Sequence, residues 1–273
     1  KLQEAGVRVL RNIPGLKVHC KLILIKRKET TGYRYYTNIG TGNFHEKTAS
    51  IYCDTTLLTA NPEITLEVDK VFDMFEATYR PVHFKTLIVS PFSTRNFFLR
   101  MLNVEIRNAM MGKEAWAIIK LNSLADTPLI NKLYAASEAG VKIKLIVRGI
   151  CKLIPGVPGL SENISVHSIV DKYLEHARTL IFCNGGDEKY FISSADWMVR
   201  NLDNRIEVSV PIFDKNIQKE LKGILDIQWE DNCKARIIDQ NMTNTYYRNG
   251  KPEVRAQEAI YQYLKCGHNH RGE

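Results

Sequence analysis

The sequence lacks any run of about 18 apolar residues, the length that a membrane-spanning helix requires, so we expect no transmembrane segment. It also lacks a CxxC motif, and its six cysteines, at positions 20, 53, 151, 183, 233 and 266, form no close pairs. That spacing argues against a disulfide framework and favours reduced, packed thiols in a cytoplasmic protein. No low-complexity segment is present.

The charge balance is basic, with 38 lysine and arginine residues against 30 acidic ones and a net charge of +8. A surplus of this kind favours polyanionic partners, which include nucleic acid, nucleotides, polyphosphate and anionic membrane surfaces. It is equally consistent with a protein whose charge only maintains solubility. The length of 273 residues permits one large domain or two ordinary ones, each with its own core.

A two-part pattern occurs twice in the chain. Residues 19–21 read His-Cys-Lys and residues 40–44 read Gly-Thr-Gly-Asn-Phe. Residues 176–178 then read His-Ala-Arg and residues 193–197 read Ser-Ser-Ala-Asp-Trp. Each copy offers an imidazole, a cation two residues later, and a turn of small residues that ends in Asn or Asp and an aromatic. Two such copies facing each other would form one cationic pocket with two imidazoles, which predicts a phosphoryl-transfer site.

These residue types are the ones that phosphoryl transfer uses. One histidine can attack phosphorus while a second supplies or accepts a proton or charge. Lys21 and Arg178 are expected on the same strand faces as His19 and His176, where their charge would stabilise the equatorial oxygens. A lone histidine or a lone turn of this kind is more often structural. The prediction therefore depends on the pattern being present twice.

From residue 86 onward, short apolar strands alternate with amphipathic helices. This alternation predicts the α/β class, with a largely parallel sheet that helices cover. Ligands of such sheets bind beyond the carboxyl ends of the strands, and Arg148 follows the third of these strands, at 142–147. The segment 79–85 is the candidate domain boundary.

Beyond the repeated pattern, the chain resembles the bacterial polyphosphate kinase family in residues 19–22, 39–49, 145–151, 168–176 and 193–198. The two histidine motifs are themselves similar to those of the phospholipase D superfamily. The resemblance implies two phospholipase D-like αβα domains, each a mixed, largely parallel sheet flanked by helices, duplicated and facing each other. It also implies the C-terminal catalytic half of an enzyme, with an N-terminally truncated first domain at 1–84 and a second domain at 85–273.

The resemblance assigns roles to four residues. His19 matches the histidine that becomes phosphorylated, and His176 matches a second essential histidine near the nucleotide phosphates. Tyr52 and Arg148 match positions that contact the base and the phosphates of ATP. From charge and placement we add four phosphate-binding candidates: Lys21, Asn43, Arg178 and Arg205.

The activity that the resemblance implies is reversible transfer of the γ-phosphate of ATP to the end of a polyphosphate chain, through a phosphohistidine at His19. Mg²⁺ would accompany ATP, and because the family's magnesium-associated positions lie upstream of this chain, no metal-binding residue is predicted here. The expected partners are ATP or ADP and polyphosphate, without nucleic acid. The resemblance further implies a homo-oligomer that associates with the inner face of the membrane.

Two other functions fit the same residues. A phospholipase D-like phosphodiesterase or nuclease would use the paired histidines to transfer a diester to water. Diesterases of that superfamily carry an Asp five residues after the Lys of the first motif, where this chain has Lys26. We expect the missing carboxylate at this position to leave the pocket more cationic, which favours a substrate with a charge on every phosphate. A catalytically silent fragment that only binds polyanions is the second alternative.

Overall fold

The computed structural model of the chain describes residues 1–10, 13–77 and 81–269. The predicted domain boundary begins with Tyr79 and Arg80, which lie outside the described residues. Within the described ranges, no helix is long and apolar enough to cross a membrane.

Strands and helices alternate along most of the chain. The strands are β1 (Lys17–Val18), β2 (Lys21–Glu29), β3 (Gly32–Gly40), β4 (Tyr52–Cys53), β5 (Thr56–Thr59), β6 (Ile88–Ser90), β7 (Trp116–Leu121), β8 (Lys142–Val147), β9 (Ile164–Ile169), β10 (Leu174–Glu175), β11 (Arg178–Phe182), β12 (Lys189–Ser193), β13 (Arg205–Pro211) and β14 (Ala235–Ile238). The helices are α1 (Glu46–Ala49), α2 (Pro62–Glu76), α3 (Thr94–Met110), α4 (Thr127–Glu138), α5 (Val199–Asp203), α6 (Lys215–Trp229) and α7 (Ala256–Asn269).

Nine strands form the main sheet, in the order β1-β13-β12-β11-β7-β8-β9-β14, with β6 also paired to β13. This mixed sheet and its flanking helices confirm the predicted α/β class. Parallel pairing is confined to β1-β13 and β7-β8-β9, whereas five pairs of neighbours are antiparallel. The parallel share is smaller than predicted because tight turns, such as the one between β11 and β12, permit only antiparallel neighbours.

Helices cover both faces of the main sheet. α3 and α4 pack on one face through a core that includes Phe98, Leu129 and Leu145. α6 packs on the other face through Leu221, in a second core that also contains Val68 of α2. The second core therefore joins parts of the chain from both sides of the predicted boundary.

β2, β3 and β5 form a separate, antiparallel sheet. α2 covers one face of this sheet, with Val68 and Val71 fully buried. The other face carries Ile23, Ile25 and Leu58, which are 43, 57 and 74% exposed. Within the described residues this unit has two layers, so the αβα sandwich predicted for the first domain is not complete in it.

Two short parallel ladders connect the first 60 residues with the rest of the chain. β1 pairs with β13, and β10 pairs with β4. Parallel neighbours cannot be joined by a hairpin, so each ladder brings together strands from distant parts of the sequence. Each ladder ends directly before one histidine of the repeated pattern.

Leu145 in β8 is fully buried in the main core. We predict that Leu145→Ala lowers the free energy of unfolding by about 2–5 kcal/mol, because apolar burial is lost and a cavity remains. Leu58→Ala, at a side chain that is 74% exposed, is the control and should change that free energy by less than about 0.5 kcal/mol. Urea denaturation followed by circular dichroism measures both, and equal losses would contradict the assignment of the core.

Candidate active site

Both histidines of the repeated pattern lie at an interruption between two strands, not inside one strand as predicted. β1 ends at Val18 and β2 begins at Lys21. The N–H groups of His19 and Cys20 both donate to the carbonyl of Ile206, each at 2.9 Å. Two residues thus face one residue of the partner strand, which is the pattern of a β-bulge. A bulge interrupts the alternation of side chains between the two faces of a strand, so the direction of the imidazole is no longer set by that alternation.

The same geometry recurs at the second histidine. β10 ends at Glu175 and β11 begins at Arg178. The N–H groups of His176 and Ala177 both donate to the carbonyl of Cys53, at 3.1 and 2.9 Å. The repeat seen in the sequence therefore extends to the backbone around each histidine.

A buried carboxylate holds the first histidine. Glu207, which follows Ile206 in β13, lies 2.9 Å from Nδ1 of His19. The same carboxylate accepts hydrogen bonds from Ser194 Oγ at 2.5 Å and from Asn201 Nδ2 at 2.7 Å. Because a carboxylate oxygen accepts hydrogen bonds, we assign the donor role in this pair to Nδ1 of His19, which leaves Nε2 as the other ring nitrogen.

Asp54 has the same relation to the second histidine. Its Oδ1 lies 2.7 Å from Nδ1 of His176 and accepts from Thr41 Oγ1 at 2.6 Å. A Cβ added to Gly42 would collide with the Asp54 carboxylate, so the turn needs glycine there. Burial alone would raise the pKa of Asp54, but the hydrogen bonds from His176 and Thr41 outweigh it and hold that pKa below its usual value.

The cations of the two motifs are buried beside the histidines. Lys21 is 6% exposed, and its ammonium donates to the carbonyl of His19. Arg178 is 3% exposed, donates to the carbonyl of His176 at 2.7 Å, and lies 3.1 Å from Nε2 of the same ring. Its remaining nitrogens bond both oxygens of Asp196, at 3.3 and 3.0 Å. The two cations occupy equivalent positions in their motifs. Arg178 forms an ion pair with Asp196, whereas Lys21 forms none among the described residues.

Electrostatic effects link the two motifs. Burial is the main cause that lowers the pKa of Lys21 to about 8, while the charge of Glu207 opposes this shift and the charge of Arg178 adds to it. The geometry agrees with this link, because Arg178 pairs with Ser193 across β11 and β12, and the next residue, Ser194, bonds the Glu207 carboxylate that holds His19. The folded chain therefore brings both motifs into one site, which contains carboxylates as well as cations.

The two imidazoles differ in their availability. Burial lowers the pKa of His176, although the hydrogen bond with Asp54 opposes the shift, so the ring is neutral near pH 7. Its Nδ1 faces Asp54 and its Nε2 faces Arg178. The side chain of His19 is 23% exposed, against 12% for His176, and within the described residues Nε2 of His19 has no hydrogen bond. His19 thus offers a free ring nitrogen.

Tyr52 and Arg148, which are predicted to contact ATP, both lie beside the second histidine. The ring of Tyr52 is 4.9 Å from the imidazole of His176, centroid to centroid, at an angle of 56°. Arg148 donates from Nε to Asn122 Oδ1 at 2.7 Å and to the carbonyl of Glu175 at 2.8 Å. Its terminal nitrogens make no hydrogen bond in the part of the chain that the structure describes, so they can meet a ligand.

The last two phosphate-binding candidates, Asn43 and Arg205, have fewer contacts with the rest of the site. Asn43 is exposed, and within the described ranges its side chain has no hydrogen-bond partner, whereas Asp196, its counterpart in the second motif, is buried and bonded. Arg205 takes the position in the β1–β13 ladder that Tyr52 takes in the β10–β4 ladder. No side-chain contact joins Arg205 to either histidine among the residues described.

Lys26 does not line the pocket. Its ammonium lies 5.1 Å from the ring centroids of both Tyr33 and Tyr35, and 3.9 Å from the carboxylate of Asp69 in α2. Lys21 and Lys26 are five residues apart in β2, and alternate side chains of a strand point to opposite faces. The residue at position 26 therefore does not set the charge of the pocket, and the expectation that a missing carboxylate there makes it more cationic is wrong.

Our interpretation of the sequence missed the two carboxylates that hold the histidines. A signal for them was present, because the hydrogen bonds from Thr41 to Asp54 and from Ser194 to Glu207 both span 13 residues. An acid at the same distance after both small-residue turns extends the repeat. Neither acid stands next to its histidine in the sequence, so the histidine motifs alone do not indicate it.

We predict that Asp54→Asn lowers the pKa of His176 further. Burial and the charge of Arg178 lower this pKa and Asp54 raises it, so removing the Asp54 charge leaves the lowering causes. An NMR titration of the histidine Cε1 protons measures the midpoint. Asp187→Asn, at an exposed carboxylate paired with Lys189, is the matched control and should leave the midpoint unchanged. A midpoint in Asp54→Asn at or above that of the unsubstituted protein would contradict this assignment.

Two family models match the chain. The model described as polyphosphate kinase C-terminal domain 1 matches residues 1–81, and the model described as polyphosphate kinase C-terminal domain 2 matches residues 87–257. Together they cover both histidine motifs.

Named relatives extend over nearly the whole chain. It is 51% identical over 271 residues to the polyphosphate kinase of Vibrio vulnificus (strain YJ016), a match that covers 99% of this chain and 39% of that protein. It is 51% identical over 266 residues to the polyphosphate kinase of Escherichia coli (strain K12), covering 97% of this chain and 39% of that protein. The chain thus spans about two fifths of the length of the curated relatives it matches.

A solved structure has the same fold. The crystal structure of polyphosphate kinase from Porphyromonas gingivalis matches with a TM-score of 0.93 and 44% identity, over 98% of this chain and 42% of that one. Sequence and structure agree over the same residues. The chain belongs to the polyphosphate kinase family.

Proposed function

We propose that this chain carries the catalytic centre of a polyphosphate kinase, which transfers the γ-phosphate of ATP reversibly to the end of a polyphosphate chain through a phosphohistidine at His19. The observation that carries the proposal is the repeated histidine site, in which each imidazole has a carboxylate at Nδ1 and a buried cation from its own motif. The activity named for the relatives supports the same reaction.

His19 is the nucleophile in this proposal because its Nε2 is free while Glu207 holds its Nδ1. In the first step the Nε2 lone pair attacks the γ-phosphorus, the bond to the bridging oxygen breaks, and ADP leaves with that electron pair. The phosphorylated ring is positively charged, and the buried carboxylate of Glu207 stabilises it. In the second step a terminal oxygen of polyphosphate attacks the same phosphorus, and the electron pair of the N–P bond returns to Nε2.

His176 assists the transfer in this proposal. Its lowered pKa favours the neutral ring, and its Nε2 faces Arg178, so it can accept a proton from the phosphate groups when the guanidinium turns from Nε2 to the phosphates. We assign the base of ATP to Tyr52, which stacks at an angle on His176, and the phosphates of ATP to the free terminal nitrogens of Arg148. Lys21 and Arg178 contribute positive charge next to the group in transfer.

Polyphosphate and ATP are both polyanions, so their approach requires positive charge. Within the described residues, no three His, Cys, Asp or Glu side chains are grouped so as to hold a metal ion, and we assign no residue of this chain to one. We propose that Mg²⁺ comes with ATP, where it offsets repulsion between donor and acceptor. The remaining phosphate-binding candidates are assigned to the polyphosphate chain, Arg205 by its charge and Asn43 by its exposed amide in the small-residue turn.

The alternatives differ from the kinase in what the paired histidines do. A phosphodiesterase would also form a covalent intermediate at one histidine, but from a diester and without ATP. The identity of 51% to proteins named polyphosphate kinase favours the kinase. A catalytically silent fragment would bind polyanions without becoming labelled by ATP.

Other properties of the intact protein stay predictions. These are its homo-oligomeric state, its cytoplasmic location and its association with the inner face of the membrane. The same holds for the expectation that nucleic acid is not a partner.

The phosphohistidine is tested by labelling. Full-length protein that contains this chain, incubated with γ-labelled ATP, should carry acid-labile, alkali-stable label on His19, because N–P bonds are acid-sensitive. His19→Ala should abolish the label, and His83→Gln, at an exposed histidine, is the control that should keep it. Peptide mass spectrometry locates the label. Label that survives in His19→Ala would exclude the assignment, and cleavage of a phosphodiester without ATP would favour the diesterase.

The role of His176 is tested by turnover. We predict that His176→Ala lowers kcat by about 10²–10⁴-fold, the range for loss of a group that transfers a proton, or about 2.7–5.4 kcal/mol of barrier. Initial rates of ATP-dependent polyphosphate synthesis measure the change, with His83→Gln again as the control. A loss below about tenfold would remove His176 from the catalytic groups.

A further inference from the structure

Glu175 stands directly before His176 and takes no part in the chemistry proposed above, yet its carboxylate is almost fully buried, at 3% exposed. Three elements converge on it. Lys120 of β7 lies 2.6 Å from Oε2, Gln228 of α6 donates to the same oxygen at 2.7 Å, and Gln257 of α7 donates to Oε1 at 2.8 Å. Burial alone would raise the pKa of Glu175, but attraction to Lys120 and these hydrogen bonds outweigh it, so the group stays ionised.

Gln257 also holds the segment that leads into Glu175. Its amide oxygen accepts from the N–H of Tyr173 at 3.0 Å, and its amide nitrogen donates to the carbonyl of Tyr173 at 2.8 Å. Next to it, Arg255 bonds the carboxylate of Asp171 at 2.7 Å. The start of α7 thus fixes both the backbone and the side chain immediately before the second histidine.

The backbone of Glu175 is connected to the site at two points. Its carbonyl accepts the Nε hydrogen bond of Arg148 at 2.8 Å. The next N–H, that of His176, donates to the carbonyl of Cys53 at 3.1 Å, one residue before Asp54. A displacement of Glu175 therefore moves both the arginine assigned to ATP and the imidazole that Asp54 orients.

We propose that Glu175 is a positioning residue, whose anchored carboxylate fixes the backbone from which Arg148 and His176 meet the phosphates. The inference rests on the proposed function. The equivalent position in the β1–β13 ladder is Val18, which is apolar and 43% exposed, so this anchor is specific to the second histidine. A cavity of about 300 Å³ beside Glu175, lined also by Lys120, gives the carboxylate room to move once its partners are lost.

Two substitutions test the anchor. Glu175→Gln keeps the size of the side chain, but one of its two terminal atoms becomes a donor, which then faces the donating group of Gln257 or of Lys120. Gln257→Leu removes the partner from α7 while Glu175 keeps its ion pair with Lys120. This variant tests the anchor alone if Glu175→Gln does not fold. Glu105→Gln is the matched control, because Glu105 is also fully buried but bonds the N–H of Asn184, beyond the opposite end of β11.

The measurements are kcat and the KM for ATP per folded molecule of the full-length protein, together with NMR of ¹⁵N-labelled histidine. We expect Glu175→Gln and Gln257→Leu to lower kcat by about 10- to 100-fold and to raise the KM for ATP, since displacements near 1 Å have effects of this size. The Nδ1 proton of His176 should lose the downfield shift that its hydrogen bond to Asp54 gives. Glu105→Gln should change none of these quantities.

A purely structural role predicts a different result. The yield of folded protein would fall, while kcat per folded molecule and the His176 spectrum would stay as in the unsubstituted protein. That result in either folded variant overturns the inference.

The spectrum also separates this inference from the proposed function, because it needs no turnover. If the unsubstituted protein neither becomes labelled nor transfers phosphate, the proposed function fails while the His176 spectrum still tests the anchor. If the protein is an active kinase and either folded variant keeps its spectrum and rates, the anchor fails alone.

Discussion

The site depends on one interaction made twice, the hydrogen bond between an imidazole Nδ1 and a carboxylate that lies in the neighbouring parallel strand or directly after it. In each case two consecutive N–H groups share the carbonyl that directly precedes the carboxylate. The backbone therefore sets the spacing between ring and carboxylate, and a hydroxyl from the small-residue turn bonds the same carboxylate. Glu207 is fully buried, and because an unpaired buried carboxylate is strongly destabilising, His19, the Ser194 hydroxyl and this acid must come together when the chain folds.

These pairs connect the two parts of the chain. His19 is held by Glu207, and His176 is held by Asp54, so each ring is oriented by a residue far from it in sequence. The ladders that place these pairs, β1–β13 and β10–β4, also join the small sheet to the main one. The core shared by α2 and α6 adds apolar contact between the same two parts. The orientation of the histidines and the cohesion of the fold thus have a common origin, and neither part can form its half of the site alone.

The local part of the site could be predicted from the sequence, and the non-local part could not. His19 and His176 belong to a spacing that is repeated within a few residues, so the motif and the α/β class are visible without coordinates. Asp54 and Glu207 act through ladders between distant strands, so the sequence shows that each stands 13 residues after a turn hydroxyl but not which histidine it holds. The error at position 26 arose because the pattern of the diesterases was taken to place this side chain in the pocket, whereas parity along a strand decides which face a side chain takes. The main sheet also has fewer parallel pairs than predicted. Alternation of strands and helices along the chain does not fix which strands become neighbours in the sheet.

Two differences between the otherwise equivalent motifs favour unequal roles for the two histidines. Arg178 reaches Nε2 of the second histidine while it remains bonded to Asp196, because a guanidinium donates in several directions at once. Lys21 has a single ammonium, which bonds the carbonyl of the first histidine and leaves that ring's Nε2 without a partner among the residues described. Asn43 replaces the acid that would neutralise this cation. The first motif therefore keeps a positive charge beside a ring nitrogen without a partner, which suits attack on phosphorus. In the second motif the guanidinium is paired with Asp196 and both ring nitrogens have partners, which suits a histidine that assists the transfer.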